Sequence, residues 1–408
     1  MSMQMEINDT ISGVKGFSVW GAHVGIKSKR RDLGLILSEQ PANASAVFTL
    51  NEVVAEPVKL SRRHIADGLV QAVVVNAGNA NACTGEQGRQ GAEAMVTATA
   101  EELGIERELV IVASTGVIGQ RFPTDKVVEG IRVNARKLSE KKAASHFLAN
   151  AILTTDTFPK EAARRFSVQG REVLLAGVAK GSGMIHPNMG TMLSFIACDI
   201  AISQPLLDSL FREAVGRSFN MITVDGDTST NDMALVMCNG MAGNVEISSV
   251  DSPGYEEFRT ALFSMTEDLA KLIVSDGEGA TKFIEYRVIN APDEEGARRM
   301  VRTISDSSLV KTAIFGQDPN WGRILAAAGR SGVAFEQEKV DLSIGAEEVY
   351  QVARNGKPTG QDLAQVREAM HEQHLTVIVN LNAGSAEATG WGCDLSTGYV
   401  KFNSHYTT

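Results

Sequence analysis

Val178-Ala-Lys-Gly-Ser-Gly-Met-Ile-His-Pro-Asn-Met-Gly-Thr-Met-Leu-Ser-Phe-Ile-Ala-Cys-Asp199 is the most unusual stretch of the chain. A polar, glycine-bearing run from Lys180 to Asn188 leads to Gly190-Thr191 and then to an apolar run of strand character. Gly190 can adopt backbone angles closed to other residues, so the peptide bond before Thr191 can be held in a strained geometry. A threonine hydroxyl in that place can attack the preceding carbonyl and move the acyl group from nitrogen to oxygen. Hydrolysis of the ester then leaves Thr191 as a new N-terminus. Its α-amine, with an ordinary pKa of about 7.7–8.0, is a base beside its own hydroxyl. Nucleophile and base would come from one residue, which accounts for the lack of an evident Ser-His-Asp set. Gly-Thr pairs are common, however, and on the residues alone a loop entering a strand is the plainer reading.

Around this stretch strand-like and helix-like segments alternate, so the class is mixed α and β. Leu69-Val-Gln-Ala-Val-Val-Val75 is β-branched and runs into the turn Asn76-Ala77-Gly78. Ala92, Met95, Val96, Thr99 and Leu103 recur at helical spacing, with Gly104 as a C-cap. Leu109 to Ala113 forms a second strand that runs straight into Ser114-Thr115-Gly116. On the residues alone an ordinary turn is the plainer reading of those three. Ser203 and Pro205 open a helix with Leu206, Leu207, Leu210, Phe211 and Ala214 on one face. A second helix, carrying Phe258, Leu262, Met265, Leu269 and Leu272, delivers the chain to Ser275-Asp276-Gly277-Glu278-Gly279. Leu375, Val377, Val379 and Leu381 alternate with Thr376, Ile378, Asn380 and Asn382, a strand packed on one side.

Composition narrows the function classes. The chain has 408 residues, 43% hydrophobic and 22% charged, enough for a sizeable core. Lys and Arg number 39 against 49 Asp and Glu, a net charge of -10 that argues against nucleic acid as a partner. The apolar runs are strand-sized, far short of the roughly 20 residues of a bilayer span, and the N-terminus lacks the pattern of a signal peptide. The expectation is a soluble, cytoplasmic protein. Four scattered cysteines, Cys83, Cys198, Cys238 and Cys393, read as buried free thiols and argue against a disulfide framework or a cysteine-based zinc site. His371 and His374 could share a helix face, but without a third ligand they read as a solvated helix face. Gly277-Glu278-Gly279 lacks the third glycine of a dinucleotide fingerprint. Ser139-Glu140-Lys141-Lys142 matches SxxK only by chance.

The segment Lys180 to Leu193 resembles the autocleavage segment of the ornithine acetyltransferase (glutamate N-acetyltransferase) family of arginine biosynthesis. So do Pro41-Ala-Asn-Ala-Ser-Ala-Val-Phe-Thr49, Asn76-Ala-Gly-Asn-Ala-Asn-Ala-Cys-Thr-Gly85 and Ser114-Thr-Gly-Val-Ile-Gly119. Thr154-Thr-Asp-Thr-Phe-Pro-Lys160, Thr223-Val-Asp-Gly-Asp-Thr-Ser-Thr-Asn-Asp232 and Asp318-Pro-Asn-Trp-Gly-Arg323 follow in order. The resemblance implies an αββα sandwich, similar in logic to N-terminal-nucleophile hydrolases but different in topology, with a smaller α/β domain. With a division placed near 283, where the glycine-rich segment ends and a more ordinary α/β pattern resumes, the expected parts are a core over 1–282, the smaller domain over 283–395, and a tail over 396–408 that returns to the active site. The resemblance further implies self-cleavage between Gly190 and Thr191 into an α chain (1–190) and a β chain (191–408), assembled as two of each.

Thr191 is then the nucleophile of a ping-pong transfer of acetyl from N-acetylornithine to glutamate, with Thr115 and Gly116 as the oxyanion-hole pair. The implied substrate-binding residues are Thr154, Lys180, Thr191, Glu278, Asn403 and Thr408, with Thr155 and Thr157 as close competitors of Thr154. An amino-acid carboxylate calls for a cation such as Lys180, and an ornithine amino group for an anion such as Glu278. No metal and no cofactor is implied. Acetyl-CoA is a co-substrate only in bifunctional members, and the lack of a nucleotide-binding motif favours the simple transfer. The alternatives are an N-terminal-nucleophile amidase or aminopeptidase with water as acceptor, and an unprocessed amino-acid-binding paralogue. Two positions depart from the family pattern: Gly190 and His186 stand where alanine is usual. His186 reads as a neutral loop substitution; a part in ester hydrolysis would make processing vary with pH near about 6.5.

Overall fold

The computed structural model describes residues 9–186 and 192–405; the Gly190-Thr191 bond and Thr408 lie outside the described residues. Strands β1 (Phe17–Ala22), β2 (Leu33–Phe48), β3 (Leu69–Asn79), β4 (Val110–Val117), β5 (Lys160–Val168), β6 (Arg171–Lys180) and β7 (Leu193–Cys198) belong to one sheet. Next, β8 (Ile222–Thr223) goes to a second sheet, and β9 (Met233–Cys238) returns to the first. The first sheet runs β4-β3-β2-β9-β7-β6-β5, with β1 on the free side of β2.

The long strand β2 serves two partners. Residues 33–37 pair with β1 and β3, residues 43–48 pair with β9, and the register slips between Leu37 and Ala42. Glu39, Gln40 and Pro41 at the slip are exposed. The sheet folds over at this point, so its two halves face each other. Between them lies a core in which Val73, Val75, Ile111 and Ala113 meet Ala176, Val178, Phe195 and Leu235.

Helices cover both outer faces. On one, α1 (Glu56–His64), α2 (Gly85–Leu103) and α3 (Thr124–Asn134) set Leu60, Met95, Val96, Val127 and Ile131 against Leu35, Val74 and Val112. On the other, α5 (Gln204–Arg217) and α6 (Tyr255–Ser275) set Leu210, Phe211, Leu262 and Met265 against Leu175, Ile196 and Val236. Between them in sequence, α4 (Lys142–Ala151) packs Leu148 into the middle core. The result is helix, sheet, sheet, helix. Strands buried on both faces have no polar side to keep, which is why Val73, Val74 and Val75 run together. At the free edge of β4, the Ser61 hydroxyl donates to the Val112 carbonyl at 2.7 Å and accepts its N–H at 2.9 Å.

The second sheet contains β10 (Phe283–Ala291), β11 (Asp341–Gly345), β12 (Val349–Arg354), β13 (Lys357–Pro358), β14 (His374–Asn380) and β15 (Ala386–Cys393), in the order β13-β12-β11-β14-β10-β15-β8. One face packs Ile284, Tyr286, Val288, Val377 and Val379 on α7 (Glu294–Ser305). Its apolar core is continuous with the layer of α5 and α6. After β15 a short helix, α8 (Thr397–Asn403), closes the described chain.

Two sequence expectations are corrected. Cys83 is exposed, because it sits at φ +56° in the loop before α2 rather than on a buried element. His371 and His374 share no helix face: the first lies in a turn and the second begins β14, both exposed. No helix among the described residues is long and apolar enough to cross a membrane.

Candidate active site

The site is built where strands of both halves of the sandwich end. β3 and β4 run parallel, with Asn76, Ala77 and Gly78 beside Ser114, Thr115 and Gly116. The Ser114 hydroxyl donates to Asn76 Oδ1 at 2.6 Å. Asn231 Nδ2 donates to the carbonyls of Ala80 and Ser114 at 2.6 and 2.8 Å, tying the loop before β9 to both strand ends. Gly116 has φ +133°, and a Cβ on it would lie 2.4 Å from the Gly78 carbonyl carbon. Only glycine fits this close approach of two backbones.

From the facing half, β6 ends at Lys180, paired with Leu193 of β7. The Lys180 ammonium is buried and donates to Thr115 Oγ1 at 3.4 Å. The segment after it is stitched to the end of α6: Glu278 N–H donates to the Ser182 carbonyl at 2.9 Å, and Ser182 Oγ to the Asp276 carbonyl at 2.6 Å. Gly183 leaves room for Glu278, since a Cβ there would meet its carboxyl carbon at 2.3 Å. Helix α8 lies over the same loop, with Asn403 Nδ2 donating to Glu278 Oε2 at 2.9 Å and Ser396 Oγ to the Gly279 carbonyl at 2.5 Å.

A cavity of about 190 Å³ opens among these parts, and Thr115, Gly116, Thr154, Lys180, Glu278 and Asn403 all line it. Of the competitors of Thr154, Thr155 also lines the cavity. Thr157 is turned away, its N–H and hydroxyl both on Asp276. Thr191, Gly190 and Thr408 lie outside the described residues, but Met192 is buried with its N–H on Asp232 Oδ1 at 2.8 Å. His186 stands 3.7 Å from Asp306 Oδ1.

Behind the cavity is a buried charge network absent from the sequence-derived site. Lys160 donates to Asp156 at 2.8 Å and to Asp276 at 2.6 Å. Asp156 also accepts the Gly181 and Thr154 N–H groups at 2.7 and 2.9 Å. Burial opposes the ionised form of Asp156, but Lys180 and Lys160 beside it hold its pKa well below the usual carboxylate range. Burial lowers the Lys180 pKa, against the attraction of Asp156. It also raises the Asp232 carboxyl well above its ordinary range, and Asp225 up to about 6. Asp156, Lys160, Asp225 and Asp232 all fall in motif blocks visible in the sequence. Asp156 and Lys160 are only four residues apart, but Asp276, which completes the network, lies far along the chain, and nothing local shows that these charges are buried together.

Lys160→Met should cost about 3–5 kcal/mol, because it strands two buried carboxylates beside an apolar side chain. Urea unfolding monitored by fluorescence measures this; a midpoint equal to wild type would show that Lys160 does not hold the network.

Among the described residues no cluster of His, Cys, Asp and Glu is arranged to hold a metal ion. The arrangement joins a hydroxyl-bearing strand end, a buried cation and a carboxylate, the parts needed to seat an amino acid and receive an oxyanion. Against known proteins, the sequence profile of the ArgJ family matches residues 18–408. The chain belongs to the ArgJ family. Its relatives include the arginine biosynthesis bifunctional protein ArgJ of Caldanaerobacter subterraneus subsp. tengcongensis, 50% identical over 99% of this chain and 100% of the relative. The ArgJ protein of the same name from Streptococcus thermophilus is 47% identical over 98% of this chain and 99% of its own. Among solved structures, a Bacillus halodurans ArgJ chain is 45% identical with a TM-score of 0.43, covering 45% of this chain and 95% of its own. An ornithine acetyltransferase from Mycobacterium tuberculosis, complexed with ornithine, is 33% identical with a TM-score of 0.40, covering 44% of this chain and 94% of its own.

Proposed function

We propose that this member of the ArgJ family is a self-cleaving glutamate N-acetyltransferase of arginine biosynthesis. The Thr191 hydroxyl attacks the Gly190 carbonyl, the acyl group shifts from nitrogen to oxygen, and water hydrolyses the ester to free the Thr191 α-amine. In turnover that amine takes the Thr191 proton as Oγ attacks the acetyl carbonyl of N-acetylornithine. Thr115 Oγ and the Gly116 N–H stabilise the tetrahedral oxyanion. Collapse breaks the C–N bond, the leaving amine takes back the proton, and ornithine departs from an acetyl ester on Thr191. Glutamate's neutral α-amine then attacks the ester, and N-acetylglutamate leaves with Thr191 restored. Lys180 receives the substrate carboxylate, while Thr154, Glu278, Asn403 and Thr408 contact the rest of the amino acid. The active form is two α and two β chains in the cytoplasm.

The observation that carries this reading is the meeting of Thr115, Gly116, Lys180, Glu278 and Asn403 in one cavity, in a chain 50% identical over its length to an ArgJ protein. A second donor, acetyl-CoA, is favoured by one observation: relatives at 47–50% identity carry the bifunctional name. The test is incubation of purified protein with N-acetylornithine and glutamate, with ornithine and N-acetylglutamate quantified by chromatography. Equal release of both products, dependent on glutamate, is expected. Ornithine release at the same rate without glutamate would favour the amidase, and no release would overturn the enzyme reading. Acetyl-CoA in place of N-acetylornithine tests the second donor in the same assay.

A further inference from the structure

The two amino acids of the proposed exchange set the site an electrostatic conflict. The ornithine ammonium nitrogen and the glutamate γ-carboxylate oxygens each stand four bonds from Cα, so one subsite must receive first a cation and then an anion. A fixed charge there would reject one of them. The cavity wall also presents a pair that need not be fixed: the Tyr399 hydroxyl of α8, which donates to Asp225 Oδ2 at 3.3 Å. The Asp225 carboxyl is anchored by the N–H groups of Met184 and Ile185 at 2.6 and 3.0 Å, so it cannot swing to meet a ligand. Tyr399 is therefore the half of the pair that presents a hydrogen-bonding group to the cavity.

Resting on the exchange proposed above, we propose that the Tyr399 hydroxyl, with Asp225 as its proton partner, and not the Glu278 carboxylate, contacts the side-chain terminus of both substrates. With Asp225 ionised, Tyr399 donates to it and turns an oxygen lone pair toward the cavity, where it accepts from the ammonium of N-acetylornithine. With Asp225 protonated, the carboxyl donates to Tyr399, whose own hydrogen is released to the γ-carboxylate of glutamate. Glutamate binding thus takes one proton from solvent onto Asp225, and its departure returns the proton.

Burial places the Asp225 titration at about 6, within reach of this exchange. The other groups around it are Asp227 on its own loop, Glu278 after α6, Cys393 of β15, and His186 with Asp306 on the far side of Gly226. Burial raises both Tyr399 and Cys393 above their ordinary values, so neither ionises near neutrality. His186, lowered by burial, is a competing source of pH dependence.

The test is the ratio of KM for glutamate to KM for glutamine as acceptor, from about pH 5.5 to about pH 8.5. Both acceptors share the α-amine and the acetyl-enzyme, so the ratio cancels their titrations. In the wild type it should climb toward about tenfold per pH unit above the Asp225 titration. In Asp225→Asn and Tyr399→Phe it should be flat, and in His186→Ala the climb should persist. A flat wild-type ratio, or a climb that survives in Tyr399→Phe, would overturn the proposal. Intact mass shows whether each variant matures; should Asp225→Asn fail to, Tyr399→Phe, which loses one oxygen only, decides. A wild type with no transfer to either acceptor would defeat the exchange reading itself.

Discussion

Thr191→Ala should yield one uncut chain of 43.7 kDa on a denaturing gel and in intact-mass measurement, with acetyl transfer lowered by at least about 10⁴-fold. Wild type should give two fragments that sum to the full chain plus one water, the second beginning at Thr191. The size of the effect follows from the economy of the site. The proposed nucleophile, its base and the cleaving group are one residue, so a single substitution that deletes the hydroxyl removes all three. The fold should not share the loss. Met192 is held by Asp232, and β7, which begins at Leu193, is buried throughout its six residues. A melting temperature close to that of wild type is therefore expected, and it separates loss of chemistry from loss of structure. Thr191→Ser keeps an oxygen nucleophile and should still cleave, more slowly. Two fragments from Thr191→Ala would remove Thr191 from the cleavage step, and a single chain from wild type would leave the unprocessed binding paralogue as the better account.

How much of this was readable in the residues depends on the distance over which each part acts. β3, β4 and α6 were legible because their apolar spacing is set within one element, and the strand end at Ser114-Thr115-Gly116 could be placed from the run before it. The folding-over of the first sheet was not. It depends on β2 changing partners at Glu39, Gln40 and Pro41 and on β9 inserting beside it, pairings between residues some 200 positions apart that no local pattern encodes. Within the site, Lys180 and Glu278 were named through family resemblance. The structure adds why two charges so far apart in sequence meet: Ser182 bonds to the peptide carbonyl of Asp276 and pins one segment on the other. Asp156, Lys160 and Asp276 were missed because a lone charge in a sequence reads as solvated. Only their burial together makes them a network. Tyr399 was missed for a similar reason, since the sequence does not show that α8 returns its side chain to Asp225.

Gly116→Ala should reduce kcat of matured enzyme by about 10²–10³-fold, the usual effect of losing one oxyanion donor, with a smaller change in KM. The added Cβ would meet the Gly78 carbonyl carbon at 2.4 Å and the Asn79 nitrogen at 2.5 Å. Both obstacles are backbone, so no side-chain rotation relieves them, and the ends of β3 and β4 must separate. That separation displaces the Gly116 N–H and the adjoining Thr115 hydroxyl, whose place is fixed by a strand end and by Lys180. The unfavourable φ of +133° adds roughly 1–3 kcal/mol of backbone strain, so a fall in melting temperature accompanies the fall in rate. Gly119→Ala distinguishes the two causes. Gly119 also has a positive φ, +76°, but a Cβ there meets nothing within 4 Å. Its substitution carries strain without collision and should lower stability while leaving kcat within a few-fold of wild type. If Gly116→Ala behaves like Gly119→Ala in steady-state kinetics, the backbone at Gly116 does not serve the oxyanion, and the stabilising donors must be sought elsewhere along the cavity.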